Sequence, residues 1–127
     1  MCIRDRDNIY SRHLFLAQAV QKASQAWGLD LCAKDSSLYS NTVTAIMVPE
    51  GIDSTDIVKT AYNKYNTSFG GGLTKVAGKL FRIGHLGDLN SSMILGAIST
   101  AELAMHDVGV KFELGSGVAA AIKHLKV

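Results

Sequence analysis

Between residues 90 and 108 the apolar positions Met93, Ile94, Ala97, Ile98, Ala101, Ala104, Met105 and Val108 cover more than one face of a helix with a period of 3.6 residues. A helix apolar on one side can lie at the rim of a domain. One apolar on two sides has to be covered twice, and the expected covers are its own sheet and a second domain. Asp88 or Asn90 can cap its start, and Gly109 supplies a stop that tolerates a left-handed conformation.

The rest of the chain has to supply that sheet. Thr42–Val48 is dense in β-branched residues and ends at Pro49, the single proline of the chain, as a strand would. Leu29–Cys32, Thr67–Gly72, Lys79–Ile83 and Val110–Glu113 read as further short extended pieces. Three more helices are predicted. In the first, Ile9, His13, Leu16, Val20, Ala23 and Trp27 recur at steps of four and three before Gly28. The second starts at an Asp53 or Ser54 cap and has Ile57, Val58, Ala61, Tyr62 and Tyr65 as its inner face. The third is a short Ala-rich helix over Ser116–Leu125, with Ser116 as its cap. Together these predict an α+β fold, a small mixed or antiparallel sheet with helices packed on it in a two-layer sandwich.

At 127 residues the chain has room for one ordinary domain. Residues 1–7, Met1-Cys2-Ile3-Arg4-Asp5-Arg6-Asp7, differ in character from the remainder of the chain and read as a non-native leader, so the domain is expected to run from residue 8 to residue 127. The net charge is only +2 and the basic residues are scattered, which predicts no nucleic-acid partner and no attraction to a membrane surface. No run approaches the roughly 18 apolar residues of a membrane span. Two distant cysteines, Cys2 and Cys32, suit neither a metal site nor a disulfide framework, so the expected setting is reducing and cytoplasmic.

Several motifs fail on spacing. Gly72 to Gly78 encloses five residues where a Walker A loop needs four, and Leu80 follows Lys79 where Ser or Thr should stand. The dinucleotide pattern has Lys75 in place of its third glycine, so Gly70-Gly71-Gly72 reads as a structural turn. His13, His85, His106 and His124 form no metal-ligand spacing, and Gly115-Ser116-Gly117 lacks the flanks of a nucleophile elbow.

One cation stands out. If Leu80–Ile83 is extended, Phe81 and Ile83 point to one face and Leu80 and Arg82 to the other, which places a guanidinium on a largely apolar element between Gly78 and Gly84. Its planar fork matches a carboxylate, and glycines allow a backbone or a ligand to come close. The partner can equally be an internal Asp or Glu.

Gly78-Lys79-Leu80-Phe81-Arg82-Ile83-Gly84-His85-Leu86-Gly87, followed by the long Ala- and Leu-rich helix, resembles the C-terminal signature of class V aminotransferases, the serine– and aspartate–glyoxylate group in particular. The likeness extends from about Asn8 to Leu125, through Ala26-Trp27-Gly28-Leu29, Met47-Val48-Pro49-Glu50-Gly51, Gly70-Gly71-Gly72-Leu73 and Gly115–Ala121. It implies the small domain of a fold that binds pyridoxal 5′-phosphate in a larger upstream domain, with serine, alanine or aspartate as amino donor, glyoxylate as acceptor and a homodimer as the full-length assembly. It assigns Arg82 to the substrate α-carboxylate, with His85 and Asn90 as candidates for the edge of the site. No lysine of this chain matches the Schiff-base position, so the chain alone is expected to be inactive and, freed of its larger domain, to self-associate or to be marginally stable. The competing reading is a free-standing α+β module for metabolite binding or dimerisation.

Overall fold

The computed structural model describes residues 6–31, 43–72, 78–85 and 90–126. In chain order the elements are α1 (Arg6–Trp27), β1 (Val43–Met47), α2 (Ser54–Tyr65), β2 (Gly70–Gly71), β3 (Leu80–Gly84), α3 (Ser91–Val108) and α4 (Ser116–Leu125).

The three strands form one antiparallel sheet in the order β1-β3-β2, so β3 is central. Its register pairs Ala45 and Gly70 with Arg82 from either side, and Ile46 and Gly71 with Phe81. The pleat divides the sheet accordingly. Thr44, Ile46, Phe81 and Ile83 are buried on the helix-covered face, and Val43, Ala45, Met47 and Arg82 are half-buried on the other. Phe81 and Ile46 are fully buried in a core shared with Val20 and Ala23 of α1, Ile57 and Ala61 of α2, Ile98 and Met105 of α3, and Ala121 of α4. Burying each large apolar side chain contributes about 1.5–3 kcal/mol. Leu80, also buried, lies outside that cluster, as its position on the opposite pleat requires.

The helix ends follow local chemistry. Asp53 caps α2, its carboxylate accepting from the Thr55 N–H at 2.9 Å, and Asn66 closes the helix in a left-handed conformation. Asn90 caps α3 by accepting from the Met93 N–H at 2.9 Å, and Gly109 ends it at φ 103°. Asp88 lies outside the described residues.

Several expectations need correction. Of the predicted strand over Leu29–Cys32, only Leu31 forms a bridge, to Ile46, and Cys32 lies outside the described residues. Val110–Glu113 is not a strand: the Val110 N–H bonds back to the Met105 carbonyl, and Phe112 turns inward to meet the Trp27 ring edge-on with centroids 6.3 Å apart. Tyr62 is 64% exposed instead of lining the inner face of α2, because five residues past Ile57 put it about 140° around the helix. Met93 is exposed on α3 for the same reason, one residue before the buried Ile94. Helix α3 packs beside α2 and α4, and its buried Ile94, Ile98 and Met105 share the core with Ile46, Phe81 and Ile83 of the sheet. Finally, the N-cap of α4 is Gly115, not Ser116. The buried Glu102 of α3 accepts the Gly115 N–H at 2.7 Å, and the Ser116 hydroxyl donates to the Glu113 carbonyl.

Candidate functional site

Arg82 sits at the centre of the sheet on the face that the helices do not cover, where Val43, Ala45 and Met47 stand half-buried around it. Its stem therefore runs along apolar surface while its head is carried toward β2. There the guanidinium lies against Gly70. A Cβ built on Gly70 would be 2.9 Å from Arg82 Nε, 3.0 Å from Nη2 and 3.2 Å from Cζ, so only a glycine leaves room for the group where it lies. Nε is buried without a hydrogen-bond partner. Among the described residues no carboxylate forms an ion pair with Arg82; the ion pair they do contain is Lys64–Asp107 at 3.1 Å, between α2 and α3. A guanidinium keeps its charge at every physiological pH, so an anion seated there would meet a permanent cation with donors held in one plane.

The two other candidates lie elsewhere. His85, three residues beyond Arg82, is fully buried, and its Nε2 shares a hydrogen bond of 2.8 Å with the Thr44 hydroxyl. Thr44 stands opposite Ile83, on the helix-covered face, so His85 and Arg82 occupy opposite sides of the sheet. Asn90 is exposed, and its side-chain oxygen is committed to the cap of α3. The residue to which sequence alone assigns no part in the site is Gly70, at the end of the extended piece that runs into the glycine turn. It belongs to a strand, and its backbone faces Arg82 across the ladder. The signal was present in the glycine run, but glycine spacing alone cannot say which side chain a bare Cα will receive.

Other features are less specific. A groove of about 500 Å³ between the end of α1 and the start of α4 is lined by Ala26, Leu114, Gly115, Ser116, Ala119 and Lys123 among others. Among the described residues no group of three His, Cys, Asp or Glu side chains is placed to hold a metal ion, and no helix is long and apolar enough to cross a membrane.

No family model matches the chain. Individual proteins do. The chain is 60% identical over 118 residues to the serine–glyoxylate aminotransferase of Hyphomicrobium methylovorum, covering 93% of this chain and 29% of that protein. It is 52% identical to the L-aspartate–glyoxylate aminotransferase of Paracoccus denitrificans over 120 residues, 94% of this chain and 30% of that one. Among solved structures, the pyridoxamine-pyruvate aminotransferase from Mesorhizobium loti superposes with a TM-score of 0.88 at 30% identity, over 94% of this chain and 31% of that chain. Each of these aminotransferases is similar to this chain over one part of its own length. Among the described residues, four helices and a three-stranded antiparallel sheet make the small α+β fold expected from the sequence. The chain spans about 30% of the length of the relatives it matches. Against that background the reading as an independent module is not favoured.

Proposed function

We propose that residues 8–127 form the small domain of a pyridoxal-phosphate-dependent aminotransferase acting on a small amino acid and glyoxylate, and that Arg82 binds the substrate carboxylate. The observation that carries the assignment is the guanidinium itself: set against Gly70 on the face of the sheet that the described helices do not cover, with Nε shielded and no carboxylate among the described residues paired to it. The activities for which the relatives are named supply the substrate class. Small α-amino acids and 2-oxo acids share one feature, a carboxylate beside the reacting carbon.

The remaining residues have supporting parts. Arg82 fixes the carboxylate, and a fixed carboxylate fixes the orientation of the adjacent carbon, which is where positioning lowers a barrier. His85 ties the end of β3 to Thr44 of β1 and so steadies the strand that carries Arg82. Asn90 starts α3 immediately after the motif.

Pyridoxal phosphate, when bound, supplies the electron sink for amino transfer. Every described lysine, from Lys22 to Lys126, is exposed in this chain, and none matches the Schiff-base position of the family it resembles, so we assign the cofactor to another part of the full-length protein. Serine, alanine and aspartate all remain within the proposed donor class, and a homodimer and a cytoplasmic setting are the proposed context.

The test is substitution in the full-length protein that carries this chain. Arg82→Lys retains the charge and loses the planar fork, and should raise KM for the amino donor and for glyoxylate together. Unchanged KM for both would remove Arg82 from carboxylate binding.

A further inference from the structure

We infer that Gly70 is a positioning residue for Arg82: the absence of a side chain at this one position sets which edge of the guanidinium is offered to the substrate. The inference rests on the proposed role of Arg82 and extends it to the residue across the ladder.

Gly70 and Arg82 are cross-strand partners, so their Cα atoms face each other on the same pleat and any side chain at position 70 would rise on the face that carries Arg82. The room it would need is already taken. A Cβ would come within 2.9 Å of Nε and 3.0 Å of Nη2, and real Cβ contacts do not close to less than about 3.0 Å. The Nε–Nη2 side of the guanidinium is therefore turned to the Gly70 backbone. Nε is itself buried with no hydrogen-bond partner, which leaves the Nη atoms as the donors for a carboxylate. The atoms that would yield to a larger residue belong to the far end of a flexible side chain, not to backbone. Adding a methyl group at position 70 should therefore displace the guanidinium and leave the sheet in place. Gly71 is the built-in control, since it lies next to Gly70 in the same strand, pairs with Phe81, and has nothing within 4 Å of its own Cβ position.

The experiment is a double-substitution cycle in the full-length protein: Gly70→Ala, Gly71→Ala, Arg82→Lys, and Gly70→Ala combined with Arg82→Lys. It is read by steady-state kinetics with glyoxylate and L-serine and by inhibition with acetate, a bare carboxylate. Forcing the guanidinium off its rotamer costs enough to weaken a contact about three- to tenfold. Gly70→Ala should accordingly raise KM for glyoxylate and the acetate inhibition constant together by that factor, with an unchanged melting temperature. Gly71→Ala should leave both within about twofold, the level expected of a site with no displaced neighbour. In the Arg82→Lys background the Gly70→Ala change should add nothing further, because the guanidinium is gone. A purely structural glycine would instead lower the melting temperature and act equally in both backgrounds. That result, or carboxylate constants unmoved by Gly70→Ala while Arg82→Lys raises them, overturns the positioning role and leaves the role of Arg82 intact. Carboxylate constants unmoved by Arg82→Lys would overturn both.

Discussion

Gly117→Ala places one methyl group where α4 meets α1, and the structure specifies what it meets. The new Cβ would stand 2.3 Å from Trp27 Nε1, 2.4 Å from Cε2 and 2.7 Å from Cζ2. Ordinary contacts between such atoms are about 3.5–4.0 Å, so the helix and the indole must separate by roughly 1 Å. Trp27 is 4% exposed and packs edge-on against Phe112, so the ring cannot simply swing into solvent. Overpacking of this kind costs about 1–3 kcal/mol, and Ala recovers up to about 1 kcal/mol over Gly in helix propensity. With the propensity gain fully realised, the expected net loss is up to about 2 kcal/mol. Gly96→Ala provides the opposite sign from the same chemical change, because Gly96 lies in α3 with nothing within 4 Å of its Cβ position. It should gain up to about 1 kcal/mol. Urea unfolding followed by fluorescence of the single tryptophan separates the two. With a slope of roughly 1–3 kcal/mol per molar urea, the midpoints should move in opposite directions by several tenths of a molar unit or more. If the two variants are stabilised alike, the close approach of α4 to Trp27 is wrong.

Three further outcomes are expected. Asn90→Ala should cost about 1 kcal/mol in urea unfolding, with Asn90→Ser recovering most of it, because the lost interaction is the bond to the Met93 N–H; equal losses from both would argue against the cap. The Tyr65 hydroxyl donates to Asp107 at 2.5 Å and Lys64 bonds the same oxygen at 3.1 Å, with His106 adjacent in charge. These contacts hold the Asp107 carboxyl below its usual 3.8, chiefly through Tyr65, and raise Tyr65 above 10.0, chiefly through Asp107. The clasp between α2 and α3 therefore contributes above the ordinary carboxyl pKa and is lost as pH falls through the lowered value; at the alkaline end the Tyr65 contribution is lost as pH rises through its raised value. Asp107→Asn should bring the Tyr65 titration, read by NMR at its ring carbon, back down toward 10.0, and an unmoved titration would remove Asp107 as the cause. Third, the isolated chain exposes Tyr10 and Leu14 one turn apart on α1, so sedimentation should show concentration-dependent association; a sharp monomer at all concentrations would count against a surface made for docking.

The legible parts of the fold were those that a short stretch of sequence specifies by itself. The α1 stripe through His13, Leu16, Val20, Ala23 and Trp27 is buried as its spacing requires. Both α2 and α3 start at capping side chains and stop at residues in left-handed conformations, features legible one residue at a time. What escaped depended on partners distant in sequence. Val110–Glu113 has strand-like residues but bonds back to α3, and Ser116 has the right side chain for a cap while Glu102, more than a dozen residues earlier, bonds the turn. The site shows the same division. The alternation along Leu80–Ile83 put Arg82 on the face opposite Phe81, and the structure places it there. That the glycine beneath it would be Gly70, and that His85 would lie through the sheet from it, required the register.

The most direct test of the account is the kinetic constants of Arg82→Lys in the full-length protein with L-serine and glyoxylate. Losing a bidentate, charge-assisted contact of about 1.5–3 kcal/mol should lower kcat/KM for both substrates by roughly 10- to 100-fold, with the fold and the cofactor content unchanged. A kcat/KM equal to that of the unsubstituted protein for both substrates would contradict the assignment of this domain as the carboxylate-binding part of an aminotransferase.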